Sequence, residues 1–138
     1  EPLSDELTAE RLHALTRGSR VAIRNWLLDQ SKLAGIGNIY ANEALFRAGI
    51  RPTRRAGTLT RREAAALRDG LRAVLREAIA ARGTTVNDYR DGTGEAGGFG
   101  PKLRVYGREG EPCPVCGTQI RRVVITNRSA FYCPRCQR

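Results

Sequence analysis

A chain of 138 residues with a formal net charge of +10 can form one moderate domain or two small ones. No apolar run approaches the roughly 20 residues that a membrane-spanning helix requires. The positive charge is uneven: residues 51–82 carry nine basic against three acidic side chains, residues 101–138 carry eight against two, and residues 1–50 are neutral. Such an excess favours a polyanionic partner. Nucleic acid fits better than a membrane surface, because the chain has no basic amphipathic helix with an aromatic insertion face.

The first part of the chain predicts three short helices in succession. Thr8 is a suitable N-cap for the first and Gly18 a suitable end, while the second and third are predicted over residues 20–30 and 38–48 from the spacing of their apolar side chains. Residues 35–38, of sequence Gly-Ile-Gly-Asn, separate the last two, because glycine permits tight backbone turns. We therefore expect a helix, a glycine-rich turn and a helix.

A longer helix follows a short linker. Residues 60–63, of sequence Thr-Arg-Arg-Glu, form a capping box. The apolar spacing after it predicts a helix from Arg61 to about Arg82, with Gly83 as its C-cap. Residues 91–100 contain five glycines and are predicted to be a loop.

All cysteines of the chain lie in two pairs with metal-ligand spacing, Cys113 with Cys116 and Cys133 with Cys136. The sixteen residues between the pairs suit one β-hairpin, so the four thiolates can surround one Zn²⁺ tetrahedrally. Iron in similar knuckles and two disulfides are the alternatives, and a thioredoxin-like redox pair would need a βαβ context that is lacking. We predict one structural zinc, without which so small a ribbon could not fold.

A small β structure is expected around the zinc ligands. The apolar side chains within residues 103–106 suggest a strand that leads into the ribbon, whose own strands are predicted over residues 119–126 and 130–132, joined at 127–129. The predicted fold class is mainly α with a small β zinc ribbon. Its expected parts are a helical domain over residues 1–90, a glycine-rich linker over 91–102 and a zinc-ribbon finger over 103–138.

Two places in this fold could bind an anion. The turn that ends at Gly37 exposes backbone N–H groups at a helix N-terminus, and Asn38 adds a side-chain amide; a tight turn with Asn38 as N-cap is the alternative. Arg128 lies at the predicted hairpin tip, where its guanidinium could grip phosphate or simply face solvent. Arg20 and Arg24 lie one turn apart on the second predicted helix, and either flank the glycine turn or face solvent.

Longer stretches of sequence carry more information than these single positions. They are residues 1–4, residues 27–30 with 35–43, residues 105–113, and residues 127–137. Together these stretches resemble, in that order, the interdomain linker, the helix–two-turn–helix element, the start of the zinc finger and its closing hairpin in the formamidopyrimidine-DNA glycosylase and endonuclease VIII family. The resemblance covers almost the whole chain. It is closer to the formamidopyrimidine branch, because Gly-Thr-Thr at residues 83–85 precedes the glycine-rich loop.

The resemblance implies a DNA-binding role for each candidate residue. Asn38, after Gly37, would hold a backbone phosphate beside the lesion. Arg20 and Arg24 match basic positions that contact DNA, and Arg24 stands where lysine is usual. Arg128 matches the finger arginine that grips phosphate at the lesion and assists δ-elimination.

The resemblance also implies what lies elsewhere. The family's nucleophile is an N-terminal proline on a separate β-rich domain, whereas this chain opens with Glu1-Pro2 at the expected linker. Two further positions depart from the family pattern, Arg51 in place of histidine and Gly100 in place of glutamine. We expect the damaged-DNA-binding C-terminal portion of a bifunctional DNA glycosylase and AP lyase of base excision repair, specific for oxidised purines such as 8-oxoguanine and formamidopyrimidines. The catalytic domain would be absent from this chain.

The composition and the cysteine spacing are also compatible with other functions. The alternatives are a stand-alone zinc-ribbon DNA-binding module and a zinc-stapled protein-interaction domain. The expected partner is double-stranded DNA containing oxidised bases or abasic sites. The expected state is a monomer without membrane contact in the bacterial cytoplasm, associated with the nucleoid.

Overall fold

The computed structural model describes residues 6–29, 37–88 and 103–138, without the side chains of residues 81–88. The elements are helices α1 (Ala9–Thr16), α2 (Ile23–Leu28), α3 (Asn38–Ala48) and α4 (Arg61–Asp88), a 3-10 turn at Ala56–Thr58, and strands β1 (Arg121–Ile125) and β2 (Arg128–Tyr132). The predicted fold class, mainly α with a small zinc ribbon, is confirmed. Within the described part of the chain, no helix is long and apolar enough to cross a membrane.

Helix α4 is the element against which α1 and α3 pack. A single apolar cluster joins these helices with α2, and its larger members are Leu12, Ile23, Trp26, Leu27, Leu45, Ile50, Leu59, Leu67, Leu71 and Val74. Gly70 lets α3 and α4 approach closely, because a Cβ at this position would lie 2.9 Å from the carbonyl oxygen of Ala44. The helices therefore form one core that holds α3 firmly in place.

The capping box at the start of α4 is present as the sequence predicts. The N–H of Glu63 donates to the Thr60 hydroxyl at 3.0 Å, and the N–H of Thr60 donates to the Glu63 carboxylate at 3.0 Å. Arg54 also donates to both carboxylate oxygens of Glu63, at 3.0 and 2.9 Å. The predicted end at Gly83 is wrong: the helix continues to Asp88, since glycine inside a helix is tolerated.

Helix α2 begins at Ile23 and not at Arg20. The residues before it pair with the segment after α3 instead: the N–H of Ala56 donates to Val21 at 2.8 Å, and the N–H of Gly57 donates to Ser19 at 2.9 Å. These extended contacts use backbone groups that a helix would have needed. Val21, one of the apolar side chains that predicted a buried helix face over residues 20–30, is 48% exposed as a result.

The finger begins with a bend and turn where the sequence predicts a strand. The carboxylate of Glu43 on α3 accepts the N–H groups of Arg104, Val105 and Tyr106 at 2.9, 2.9 and 2.8 Å. Three adjacent amides that converge on one side chain cannot extend into a ladder, so the predicted strand is wrong. Phe46, also on α3, packs into the apolar core of the finger.

The finger's hairpin has a tighter turn than expected. Strands β1 and β2 are antiparallel, with Ile125 opposite Arg128. The turn consists of Thr126 and Asn127, both with positive φ (49° and 66°). This geometry is that of a type I′ hairpin turn. Arg128, predicted at the tip, therefore opens strand β2 directly after the turn, and the predicted loop over 127–129 is wrong.

Candidate nucleic-acid interface and metal centre

The four cysteines converge as the sequence predicts. The sulfur atoms of Cys113, Cys116, Cys133 and Cys136 all lie within 4.8 Å of one another, with Cys113 to Cys136 at 3.9 Å and Cys116 to Cys133 at 3.4 Å. Four sulfurs at the usual Zn–S distance of ~2.3 Å in a tetrahedron are about 3.8 Å apart. The donor set and its spacing fit one structural Zn²⁺, as the sequence predicts.

The surroundings of the sulfurs favour a bound cation. Burial raises the pKa of Cys133, and it raises the pKa of Cys136 to about 12, so a cluster of thiolates here needs positive charge to balance it. Hydrogen bonds from Thr118 lower the pKa of Cys116 to about 6. The backbone N–H of Val115 also points at the sulfur of Cys113, at 3.4 Å. These donors stabilise the ionised form that binds metal.

The N-terminus of α3 is open for an anion. Gly37 is the N-cap with φ −92° and ψ 170°, and no side chain in the described part of the chain caps the helix. The first N–H groups of a helix, here beginning with Asn38, have no partner inside the helix and carry the positive end of its dipole. Among the described residues, a Cβ at Gly37 would meet no atom within 4 Å, so these residues leave the space beside Gly37 open. Asn38 is therefore not an N-cap. The other residues of the predicted turn, Gly35 and Ile36, lie outside the described residues.

The Asn38 side chain connects α3 to the finger. Its Nδ2 donates to the carbonyl of Ser129 at 2.9 Å, while its Oδ1 accepts from Arg24 at 3.0 Å and from Asn42 at 2.9 Å. These partners fix which end of the amide is oxygen. Among the described residues only the Ser129 carbonyl accepts from Nδ2, so its second hydrogen can donate to a further acceptor.

Arg24 is buried, with 1% of its surface exposed. Its guanidinium donates to the carbonyls of Ile125 at 2.7 Å and Ser129 at 3.1 Å, and to the side chain of Asn25 at 2.8 Å. Burial, and then the neighbouring charge of Arg128, lowers the pKa of Arg24. A residue enclosed in this way ties α2 to the hairpin and does not offer its guanidinium to a large ligand. Arg24 thus flanks the start of α3 at Asn38, one of the two positions expected for it, and the DNA contact that the family resemblance implies for Arg24 stays a prediction.

The other two predicted arginines are exposed. Arg128 lies beside the Asn38 site, because the neighbouring Ser129 carbonyl is the acceptor for Asn38. Arg20 lies in the extended segment before α2, so it is not one helical turn from Arg24. Among the described hydrogen bonds, none joins the Arg20 side chain to this cluster. The structure brings together Gly37, Asn38, Arg24 and the backbone beside Arg128.

Several residues that connect the helical part to the finger could not be predicted from the sequence. Asn42 is fully buried; its Oδ1 accepts the N–H of Phe131 at 2.8 Å, and its Nδ2 donates to Asn38. Gln137, also buried, bonds to the N–H of Cys133 at 2.7 Å and to the carbonyl of Ile50 at 2.9 Å. The available signal for Asn42 is an amide one turn after Asn38, within an apolar helix face.

Arg51 joins the helical part of the molecule to the C-terminal end of the finger. Its Nε donates to the carbonyl of Gln137 at 2.9 Å, and its Nη2 donates to that of Pro134 at 2.7 Å. Its guanidinium also lies 5.4 Å from the centre of the Tyr132 ring. Arg51 therefore makes a structural contact with the closing zinc knuckle.

Two protein-family models match the chain. The model of the formamidopyrimidine-DNA glycosylase H2TH domain matches residues 1–90, and the model of a zinc finger found in FPG and IleRS matches residues 110–138. Similar curated proteins include a formamidopyrimidine-DNA glycosylase of Syntrophotalea carbinolica, 50% identical over all of this chain and 51% of its own length. Another, from Paracoccus denitrificans, is 54% identical over 99% of this chain and 50% of its own length. The chain spans about half the length of these relatives.

Solved structures give the same result. The MutM (Fpg) protein of Thermus thermophilus superposes with a TM-score of 0.86 at 44% identity, over 99% of this chain and 52% of that protein. Lactococcus lactis Fpg in complex with DNA containing an abasic site superposes with a TM-score of 0.85 at 32% identity, over 100% and 50%. The whole described fold, helices and finger together, is therefore shared with these proteins.

Proposed function

Because the chain belongs to the formamidopyrimidine-DNA glycosylase family, we propose that it is the damaged-DNA-binding portion of a bifunctional DNA glycosylase and AP lyase of base excision repair. The observation that carries the proposal is the junction of α3 with the hairpin, where the open helix N-terminus at Asn38 lies beside Arg128. Relatives of this fold were solved with DNA that contains an abasic site, FAPY-dG or carbocyclic 8-oxo-G. These ligands support oxidised purines and abasic sites as the lesion class.

The residues at the junction have distinct proposed roles. Asn38 and the first N–H groups of α3 donate to one backbone phosphate, with Gly37 leaving room for its approach. Arg128 binds phosphate with its guanidinium, which can form two parallel hydrogen bonds. Arg20 adds positive charge at the edge of the surface. Arg24 is a positioning residue, since its hydrogen bonds hold the hairpin carbonyls and the Asn38 amide together.

The chemistry of the parent enzyme requires residues outside this chain. By family resemblance, a proline amine on another domain forms a Schiff base with the sugar and breaks the strand by β,δ-elimination, with the base flipped out of the stack. Arg128, held at the lesion phosphate, would assist the second elimination. The zinc ion supplies structure at a site with four thiolate ligands and no open position. We expect the 138-residue chain to bind DNA without forming a Schiff base, which borohydride trapping on abasic-site DNA would check.

The proposed cellular location rests on the same relatives. They are bacterial proteins, which supports a bacterial repair protein acting at the nucleoid, in the cytoplasm. We propose a monomer that engages one damaged duplex at a time.

Binding titrations test the proposal. Arg128→Ala and Asn38→Ala are measured against a duplex with an abasic-site analogue and against its undamaged counterpart, at several salt concentrations. Phosphate contacts carry no base information, so each change weakens binding to both duplexes by similar factors. Arg128→Ala also reduces the slope of log K against log salt by roughly one charge equivalent, whereas Asn38→Ala leaves it nearly unchanged.

The matched control is Arg62→Ala, which removes an exposed arginine in the first turn of α4. If Arg128→Ala behaves like Arg62→Ala in both affinity and salt slope, Arg128 is an ordinary surface residue and the proposal fails.

A further inference from the structure

The turn before Arg128 has a strained backbone. Thr126 and Asn127 both adopt positive φ, at 49° and 66°. Asparagine tolerates this region, but threonine is β-branched and rarely adopts it. Glycine or asparagine normally occupies such positions in a two-residue hairpin turn. A threonine here indicates that something outside the turn holds it in this conformation.

Helix α2 supplies the support. The Nδ2 of Asn25 donates to the hydroxyl oxygen of Thr126 at 2.9 Å. The Oδ1 of Asn25 accepts from Arg24 Nε at 2.8 Å, and this hydrogen bond fixes the orientation of the amide. Arg24 also donates to the carbonyl of Ile125, the residue before the turn, at 2.7 Å. Two consecutive residues of α2 thus hold the first half of the turn.

The rest of the hairpin is held from a different helix. Asn38 on α3 bonds to the carbonyl of Ser129, and Asn42 on α3 bonds to the N–H of Phe131. Arg128 lies between the two sets of contacts, paired with Ile125 across the hairpin. Its exposed side chain leaves the backbone at the point where the strained turn ends, so the turn conformation sets its direction.

We propose that Asn25 and Thr126 form a clamp that holds the type I′ turn and so positions Arg128 for its phosphate. Both are positioning residues, and the inference rests on the proposed phosphate role of Arg128. In the free protein the clamp keeps the guanidinium in its binding orientation, so less conformational freedom is lost when DNA binds. Neither residue has a role that the sequence alone predicts.

A double-mutant cycle with Arg128 tests the clamp. Asn25→Ala removes the donor, and Thr126→Val removes the hydroxyl while keeping the β-branched shape. We expect each to weaken binding to abasic-site duplex by about threefold to tenfold. In an Arg128→Ala background the same changes should have almost no effect, because the clamp acts through that side chain. Gln119→Ala, which changes an exposed amide elsewhere in the finger, is the control and should bind like the wild type.

A rescue variant separates positioning from general stability. Glycine adopts positive φ without strain, so Thr126→Gly removes the need for support. The double variant Asn25→Ala with Thr126→Gly should bind better than Asn25→Ala alone and within about twofold of the wild type. Zinc content and helical circular dichroism are measured for every variant, and we expect them to stay at the wild-type level.

The outcomes distinguish the clamp from the function on which it rests. If Arg128→Ala weakens binding but Asn25→Ala does not, the clamp is overturned and the phosphate role of Arg128 stands. The clamp is also overturned if Asn25→Ala is equally damaging in the Arg128→Ala background, since the amide then acts by another route. If Arg128→Ala has no effect on binding, the proposed role of the finger arginine is wrong and the clamp fails with it.

Discussion

The helical part and the finger are each stabilised in a different way. The helices share a large apolar cluster centred on α4, which includes the chain's only tryptophan, Trp26. The finger has a much smaller apolar core, and its remaining constraints are the zinc site and hydrogen bonds to polar side chains of α3. Burial of apolar surface can stabilise the first without metal, whereas the second lacks enough of it.

The difference explains where the candidate DNA surface lies. Asn38, Asn42 and Glu43 lie close together on α3, and each binds backbone atoms of the finger. The rigid helical core positions these side chains, and they in turn position the hairpin that carries Arg128. These polar contacts therefore fix the position of the finger relative to the helical core, which the small apolar core of the finger could not do alone.

Loss of the metal should have the largest effect, because it should unfold the finger and leave the helical part folded. Cys133→Ala opens the zinc tetrahedron, and zinc binding by small fingers contributes roughly 10 kcal/mol or more to their folding. We expect loss of the one bound zinc and of the finger's structure, with most helical signal and the buried Trp26 fluorescence retained. Metal analysis, circular dichroism and fluorescence measure these. A Cys133→Ala protein that keeps an ordered finger would show that the junction alone suffices.

Glu43→Ala should break the junction without touching the metal ligands. Three N–H groups, those of Arg104, Val105 and Tyr106, lose their acceptor. Each N–H that stays buried and unpaired costs about 1–3 kcal/mol. Denaturant titration followed by zinc release should show an earlier transition, while the Trp26 transition shifts less. Glu43→Gln, which keeps one acceptor oxygen, should lie between Glu43→Ala and the wild type. Equal shifts of both transitions would mean that the two parts unfold as one unit.

Gly70→Ala tests the helical side of the comparison. The added Cβ would lie 2.9 Å from the Ala44 carbonyl oxygen, so α3 and α4 must move apart. Overpacking of this kind costs about 1–3 kcal/mol, and we expect a lower midpoint of the Trp26 transition. Ala73→Gly, a change in the opposite direction on the same helix, serves as the comparison for helix propensity alone. An unchanged or raised midpoint for Gly70→Ala would contradict the close contact.

Local signals in the sequence predict local structure well in this protein. Helix α3 occupies residues 38–48 as predicted, the capping box at 60–63 is formed, and the four cysteines meet. Each of these features depends on residues close in sequence or on a ligand spacing with few geometric solutions.

Two of the failed predictions, the helical start at Arg20 and the strand at 103–106, involve partners that are distant in sequence, whereas the end of α4 at Gly83 and the hairpin loop at 127–129 are local errors. The burial of Arg24 also depends on distant partners, since its acceptors are hairpin carbonyls about a hundred positions away, which no helical pattern reveals. Residues 19–22 are extended because they pair with residues 54–57. The segment 103–106 has apolar side chains typical of a strand, but its backbone N–H groups donate to the Glu43 carboxylate. The geometry of the candidate site thus depends on contacts between elements: Gly37, Asn38 and Arg128 could be named in advance, whereas the supporting amides of Asn25 and Asn42 could not.

The smallest expected effect concerns the ion pair at the start of α4. Hydrogen bonds from Arg54 hold the pKa of Glu63 below its ordinary value of 4.5, with the Thr60 N–H contributing in the same direction. A carboxyl whose folded-state pKa is depressed stabilises the fold above its unfolded pKa, and that stability is lost as the pH falls through the folded-state pKa. Glu63→Gln keeps an acceptor for the cap and removes the charge.

At pH 7 we expect Glu63→Gln to lower the free energy of unfolding by about 0.5–1 kcal/mol, since the pair is partly exposed. The difference from the wild type should shrink below pH 4.5 and vanish once Glu63 is protonated in both states. Trp26 fluorescence in denaturant titrations from pH 7 to pH 3 measures this for the helical core, apart from any zinc release by the finger. Glu109→Gln, an exposed carboxylate in the finger, should leave the Trp26 transition unchanged at every pH. A Glu63→Gln deficit that persists at pH 3 would show that the side chain stabilises α4 through its shape and capping, and that its charge contributes little.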